Sequence, residues 1–189
     1  TLPLSQCRTI RIGNVARFFP YKKGQDTLIK AIKLLSNKYP AIHCSFAGDI
    51  FKGQENEFDK ITEYIKSNHL EDKIEFLGNI DDIPSFLGNI DIFVLPSNYE
   101  GFGISLIEAM ATGLPCIASN LQGPAEIMTS IQLGALFQAG NVSDLAEKID
   151  NMITQYEYFD SQEISKSICD RFNINKCVDS HLELYRSCT

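Results

Sequence analysis

Pro96-Ser97-Asn98-Tyr99-Glu100-Gly101-Phe102-Gly103-Ile104-Ser105-Leu106-Ile107-Glu108-Ala109-Met110-Ala111 joins an apolar run to a helix-period run through a turn bracketed by two glycines. A strand, a Gly-x-Gly turn and a helix opening near Gly103 make one half of an α/β unit. The first N–H groups of such a helix have no intrahelical acceptor and face the crevice beyond the strand's carboxyl end, which makes a ready anion site. Gly101 and Gly103 permit close backbone approach. Glu100 projects from the loop, and Glu108, about one and a half turns into the helix, lies on a side that also faces the crevice. Two carboxylates beside a helix start suit polyol hydroxyls. By spacing alone a second reading stands: a Gly-x-Gly turn is common in α/β proteins, and Glu108 is equally a salt-bridging residue on a solvated face.

Outward from this stretch the same alternation continues. Residues 10–16 read as a strand, after which Thr27, Leu28, Ala31, Ile32 and Leu35 recur at helical spacing until Tyr39-Pro40. A strand at 42–47 precedes a helix whose inner face is Phe58, Ile61 and Ile65. Strands at 74–77 and 90–96 flank a Pro-initiated helical turn at 84–87, and the helix over 104–111 is followed by strands at 115–118 and 134–137. Val142, Leu145, Ala146, Ile149, Met152 and Ile153 mark another helix face. Beyond Tyr156 the pattern is a mostly helical tail, with Phe172, Val178, Leu182, Leu184 and Tyr185 as apolar positions. Strands apolar on both faces, in strict alternation with helices, predict a doubly wound, Rossmann-like parallel sheet covered on both sides. Ligands of such sheets bind outside the carboxyl ends of the strands, so the loops after Ala16, Ala47, Leu77, Pro96 and Ala118 are the candidates.

Composition excludes several classes. The chain has 189 residues, 44% of them hydrophobic, enough for one domain or slightly more. Its 24 Asp and Glu against 17 Lys and Arg give a net charge of -7. That balance argues against a nucleic-acid or anionic-membrane surface, since both need clustered cations. A phosphate site must then be a local cationic pocket. No run of about 18 apolar residues occurs, and Thr1 to Arg8 lack the pattern of a signal peptide. The six cysteines, at 7, 44, 116, 169, 177 and 188, form no CxxC pair and read as reduced thiols. With His43, His69 and His181 they show no zinc-ligand spacing, so no metal is expected.

The local cations stand in Val15-Ala16-Arg17-Phe18-Phe19-Pro20-Tyr21-Lys22-Lys23-Gly24, directly after the first strand. The Arg17 fork and the Lys22 and Lys23 point charges together suit a diphosphate leaving group. Standing alone, they would be solvated loop cations.

Taken together these blocks resemble the carboxyl-terminal, donor-binding half of a retaining GT-B glycosyltransferase of family 4. Glu100 and Glu108, with seven residues between them, are similar to that family's glutamate pair, and Ala109-Met110-Ala111-Thr112-Gly113-Leu114-Pro115-Cys116 continues the match. The loop from Arg17 to Gly24 resembles its Gly-Arg-Leu…Lys-Gly signature. Phe76-Leu77-Gly78, Gln122-Gly123-Pro124-Ala125-Glu126-Ile127 and Gly134 to Asn141 follow in the expected order, so the likeness covers about residues 10 to 187. Departures lie in the loops: Ala16 stands where Gly is usual, Gln122-Gly123 replaces Gly-Gly, Asn141 replaces Asp, and the loop from Arg17 to Lys23 is longer than usual by one residue.

The resemblance implies that Arg17 and Lys23, or Lys22 in place of Lys23, hold the donor diphosphate. It implies that Glu100 holds hydroxyls of the transferred sugar, with Gly101, Phe102, Gly103, Ile104 and Ser105 around sugar or phosphate. Glu108 would accept from the ribose, and Leu77, Gly78, Asn79 and Ile80 would pass the base, UDP being the expected carrier. Glu126 reads instead as a dipole partner at the start of a helix. No cofactor or metal is implied, in keeping with the lack of an Asp-x-Asp pair. The implied organisation is a linker over 1–9, a nucleotide-sugar-binding domain over 10–156 and a helical tail packing on it over 157–189. The acceptor-binding amino-terminal GT-B domain lies outside this sequence, and any membrane contact would come from it. The expected activity is hexosyl transfer in polysaccharide or glycolipid synthesis, in the cytoplasm or peripherally at the membrane's cytoplasmic face. A nucleotide-sugar epimerase and a non-catalytic nucleotide-binding module are the alternatives.

Overall fold

Ile92 and Val94 pack into one apolar cluster and Phe93 and Leu95 into another, so successive side chains of a single strand serve opposite faces of the sheet. In the computed structural model, which describes residues 9–187, six parallel strands carry this pattern. They are β1 (Ile10–Val15), β2 (Ile42–Ala47), β3 (Ile74–Gly78), β4 (Ile92–Leu95), β5 (Cys116–Ser119) and β6 (Gly134–Phe137), in the order β3-β2-β1-β4-β5-β6. The expected linker over 1–9, apart from Thr9, lies outside the described residues, as do Cys7 and Cys188.

Helices cover both faces: α1 (Pro20–Lys23), α2 (Gln25–Leu35), α3 (Glu55–Ser67), α4 (Ile83–Gly88), α5 (Ile104–Ala111), α6 (Gln122–Ile127), α7 (Val142–Thr154), α8 (Ser161–Arg171) and α9 (Ile174–Ser187). Leu28 and Ile32 of α2, Ile65 of α3 and Leu145 and Ile149 of α7 share the first cluster with Ile12, Cys44 and Ile117. Leu106 and Met110 of α5, Ile127 of α6 and Ile164 and Ile168 of α8 share the second with Phe93, Cys116 and Ala118. Local chemistry sets the helix starts. Asp82 Oδ1 accepts from Ser85 N at 3.0 Å before α4, and Asn141 Oδ1 accepts from Asp144 N at 3.1 Å before α7. Asn141 thus fills the capping role that an Asp would.

Strand ends differ from the sequence expectation where backbone donors are lost. Pro115 has no N–H and lies before β5, contributing only its carbonyl to Phe93 N at 3.2 Å. At the head of β4, Asp91 takes over part of the ladder, its Oδ2 accepting from Arg11 N at 2.8 Å. The four-residue α1 is also absent from the sequence reading; Pro20 opens it and Gly24, at φ 65°, ends it.

Beyond the sheet, α8 docks on α5, with Ser165 Oγ donating to Ala111 O at 2.7 Å. Val178, Leu182, Leu184 and Tyr185 of α9 are exposed, so they do not cap the core. No helix of the described residues is long and apolar enough to cross a membrane.

β1 pairs with β2 along six residues, but with β4 only at Ile12↔Ile92 and Gly13↔Phe93. Past Gly13 the two central strands separate, bridged by the buried Asn14 donating from Nδ2 to Val94 O at 2.9 Å. The chain order also reverses between β1 and β4, so a crevice opens at their carboxyl ends.

Candidate functional site: the crevice between β1 and β4

Two loops meet across this crevice, residues 16–24 after β1 and 96–103 after β4. Gly24 locks them together, because a Cβ built there would stand 1.9 Å from Pro96 O. Asn98 N and Tyr99 N donate to Lys22 O at 2.8 and 3.1 Å, and Asn98 Nδ2 to Tyr21 O at 3.0 Å. This seam brings Lys23 Nζ to 2.9 Å from Glu100 Oε2. Ser97, fully buried, donates to the same oxygen at 3.1 Å. Both bonds fall on Oε2, which leaves Oε1 for a ligand hydroxyl. Glu100 is therefore oriented before any ligand arrives.

Gly103, at φ 100°, turns the chain into α5 and packs against Leu95 and Ile127. Leu106 N and Ile107 N both bond to Gly103 O, so the N–H groups of Gly103, Ile104 and Ser105 precede the intrahelical ladder and are left for a ligand. A cavity of about 500 Å³ gathers these elements. Of the expected site residues, Arg17, Lys23, Glu100, Phe102, Gly103, Ile104 and Ser105 line it, together with Lys22. Arg17 is exposed, and its guanidinium makes no hydrogen bond or ion pair among the described residues. With Lys23 neutralised by Glu100, Arg17 and Lys22 supply the uncompensated positive charge. The Lys22 ammonium lies 5.4 Å from the Phe19 ring centroid.

Gly101 and Glu108 fall outside this cavity. Gly101 lines a neighbouring recess of about 470 Å³, which also takes in Lys23, Glu100 and Gln122, so the ion pair forms a shared wall. Glu108 is exposed one turn beyond Ile104 on the same helix face, past the cavity's edge. A second cavity of about 500 Å³ shares Arg17 and Phe51 with the first and extends to Asp49, Asn79 and Ile80. Asp49 Oδ1 shapes it by accepting from Asn79 N at 3.0 Å. Of the residues expected near a base, Asn79 and Ile80 line it and Leu77 and Gly78 do not.

Glu126 corrects one expectation. Because α6 begins at Gln122, Glu126 stands in its second half and cannot serve as a partner of the helix start. Its carbonyl belongs instead to a cap from the tail: Arg171 donates to Glu126 O and Ile127 O, each at 2.7 Å, and to Thr129 Oγ1 at 3.3 Å. The neighbouring Phe172 meets the ring of Phe102 edge-on at 5.7 Å, so the tail also supports the cavity wall.

Ser97 and Arg171 each hold part of the crevice wall, and periodicity did not reveal either. Tyr21 and Tyr99 are exposed at the rim with hydroxyls 3.4 Å apart, and the hydrogen bond between them holds the Tyr99 phenol above its usual pKa. Cys44 and Cys116 are fully buried, and burial raises both thiol pKa values, so neither is a nucleophile. Among the described residues no group of three or more His, Cys, Asp or Glu is placed to hold a metal ion.

The chain is similar to known proteins over most of its length. An uncharacterized glycosyltransferase of Methanocaldococcus jannaschii is 33% identical over 174 residues, 90% of this chain and 46% of that protein. The N-acetyl-alpha-D-glucosaminyl L-malate synthase of Bacillus anthracis is 26% identical over 174 residues, 91% of this chain and 44% of its own length. The crystal structure of Anabaena HepE in complex with UDP superposes with a TM-score of 0.87 at 26% identity, covering 95% of this chain and 49% of that one. The same protein has been solved with UDP and glucose and with UDP-glucose. The chain spans about half the length of the curated relatives it matches. A model of the family described as glycosyl transferases group 1 matches residues 8–165, which contain the whole crevice, and to that family this chain belongs.

Proposed function

We propose that this chain is the donor-binding half of a retaining, metal-independent glycosyltransferase that takes a sugar from a nucleotide diphosphate carrier, UDP by preference. The observation that carries the reading is the Lys23–Glu100 pair at 2.9 Å in a cavity also lined by Arg17 and the start of α5. Each part has a place in the chemistry. Glu100, its Oε2 fixed by Lys23 and Ser97, offers Oε1 to hydroxyls of the transferred sugar. The N–H groups at the head of α5 take a sugar oxygen or the phosphate. Arg17 and Lys23, with Lys22 beside them, face the diphosphate.

As the glycosidic C–O bond lengthens, positive charge builds on the sugar ring and negative charge on the departing diphosphate. Fixed cations stabilise that second charge more in the transition state than in the ground state, which is what accelerates the step. Arg17 and Lys22, with Lys23 shared between Glu100 and the diphosphate, do what a divalent metal does in other transferases. The acceptor oxygen attacks from the face the leaving group vacates and gives its proton to a phosphate oxygen, so configuration is kept. Glu108 reaches the ribose, and the cavity that includes Asn79 and Ile80 takes the base.

An amino-terminal domain would bring the acceptor, so this half alone binds donor and transfers poorly or not at all. The setting is the cytoplasm, or the cytoplasmic face of a membrane, where glycans and glycolipids are built from nucleotide sugars. The support is the UDP and UDP-glucose held by HepE and the glycosyltransferase name of the Methanocaldococcus jannaschii relative. Calorimetric titration with UDP, GDP, ADP and their sugar conjugates, without added metal, tests the reading. Arg17→Ala should remove binding of nucleotide and conjugate alike, and Glu100→Ala should weaken the conjugate alone. Binding indifferent to both substitutions would reject it.

A further inference from the structure

Arg17 has no side-chain partner among the described residues, so its placement rests on the backbone beneath it. On one edge that backbone prolongs the sheet: Ala16 N donates to Ala47 O at 3.0 Å, Phe18 N to Asp49 O at 2.8 Å, and Phe51 N to Phe18 O at 3.0 Å. Phe18 and Ile50 form an isolated parallel bridge. In extended chain, the groups of Arg17 and Phe19 point to the opposite edge. There β4 would have to continue, but it has already diverged from β1.

The vacant edge is filled by one side chain. Gln25, the first residue of α2 and 1% exposed, donates from Nε2 to Arg17 O at 2.9 Å and accepts at Oε1 from Phe19 N at 3.3 Å. Donation to the residue before Phe18 and acceptance from the residue after it is the pattern of a parallel strand neighbour. The Gln25 amide thus stands in for a third strand, and residues 17–19 are clamped from both edges.

We infer that Gln25 is a positioning residue for the donor phosphates. It acts through Arg17, and the inference rests on the reading of Arg17 as a diphosphate ligand. An exposed arginine on a free loop would have to be ordered when the phosphates bind; on this clamped backbone much of that ordering is already done. Gln25→Leu keeps the bulk and removes both hydrogen bonds. Gln25→Glu keeps the acceptor for Phe19 N and turns a carboxylate toward Arg17 O.

The test is calorimetry on this chain with UDP and with uridine, the ratio of the two affinities isolating the phosphates. Gln25→Leu should lower that ratio about tenfold while uridine binding stays within about twofold, and should add nothing further in an Arg17→Ala background. Gln25→Glu should lower the ratio in the same direction, and serves as the test if the Leu variant does not fold. A folded Gln25 variant with an unchanged ratio, where Arg17→Ala collapses it, overturns the clamp and leaves the diphosphate reading standing. Equal losses for UDP and uridine overturn it too, since a merely structural residue would act that way. If the wild type shows no preference for UDP, or Arg17→Ala leaves the preference intact, the diphosphate reading fails and the clamp's role with it.

Discussion

Gly24→Ala tests how the crevice is held together. Gly24 is buried where α1 ends and α2 begins, at φ 65°, and an added Cβ would sit 1.9 Å from Pro96 O and 2.8 Å from Pro96 C. Left-handed backbone costs an alanine about 1–2 kcal/mol. The contact is a larger problem, because both partners are backbone and the loops must part by about 1 Å before the methyl fits. Forced overpacking of this kind costs about 1–3 kcal/mol, so the whole change should destabilise by about 3 kcal/mol and lower Tm by roughly 6–12 °C. Parting these loops also opens the 2.9 Å bond between Lys23 and Glu100, which span the same seam. Affinity for a UDP-sugar should then fall at least about tenfold in calorimetry, at a temperature where the variant remains folded. Gly113→Ala is the control: its φ is 85° and its Cβ would meet Ser161 O at 2.6 Å, at the far end of α5 from the crevice. It should lose stability without losing donor affinity. A Gly24→Ala variant within about 1 kcal/mol of wild type, or two variants that weaken binding equally, would refute the idea that this contact sets the Lys23–Glu100 geometry.

Three further outcomes are expected. Ser97→Ala removes one of the two bonds on Glu100 Oε2 and should weaken a UDP-sugar about three- to tenfold with UDP itself unchanged; equal weakening of both would separate Glu100 from the sugar. Arg171→Ala uncaps the end of α6 and should cost about 1–2 kcal/mol in urea unfolding, with faster amide exchange in α6; unaltered exchange would show that the cap is dispensable. At the other side of the sheet Tyr39 and Lys38 both donate to Asp150, whose pKa burial alone would raise and whose two donors bring below its usual value. The carboxylate's contribution is therefore complete above about pH 4 and lost as pH falls further, while the raised Tyr39 pKa, from burial and the bond to Asp150, keeps the phenol's share until pH passes about 10. Tyr39→Phe should cost about 1.5 kcal/mol at pH 7 and distinctly less at pH 3, and a cost that does not depend on pH would mean that the bond to Asp150 is idle.

Legibility in the sequence followed the range over which each signal acts. The sheet was readable because burial on both faces demands apolar residues throughout a strand: residues 42–47 and 134–137 match β2 and β6, and 104–111 matches α5. The glycine turn and the loop cations were readable because they are local clusters of chemistry. Their meeting was only implied by the order of strands in a doubly wound sheet, and the ion pair between Lys23 and Glu100 spans 77 positions. What escaped was single polar residues on buried faces. Helical spacing begins at Thr27 if only apolar positions are counted, so Gln25 looks like a residue outside the pattern, yet it is more buried than Thr27. Asn14 escaped similarly, a buried polar side chain tied to Val94 O, 80 positions away, and so did Ser97, buried in the turn that leads to its partner Glu100. Gln25 and Asn14 mark the places where the sheet's own hydrogen bonding runs out at the switch point. A doubly wound sheet must leave its two central strands diverging there to admit a ligand, and the backbone groups exposed by that divergence need partners. The side-chain amides of Gln25 and Asn14 meet the need, so such buried polar residues at the crevice are a consequence of opening it, and they fix the groups that face the ligand.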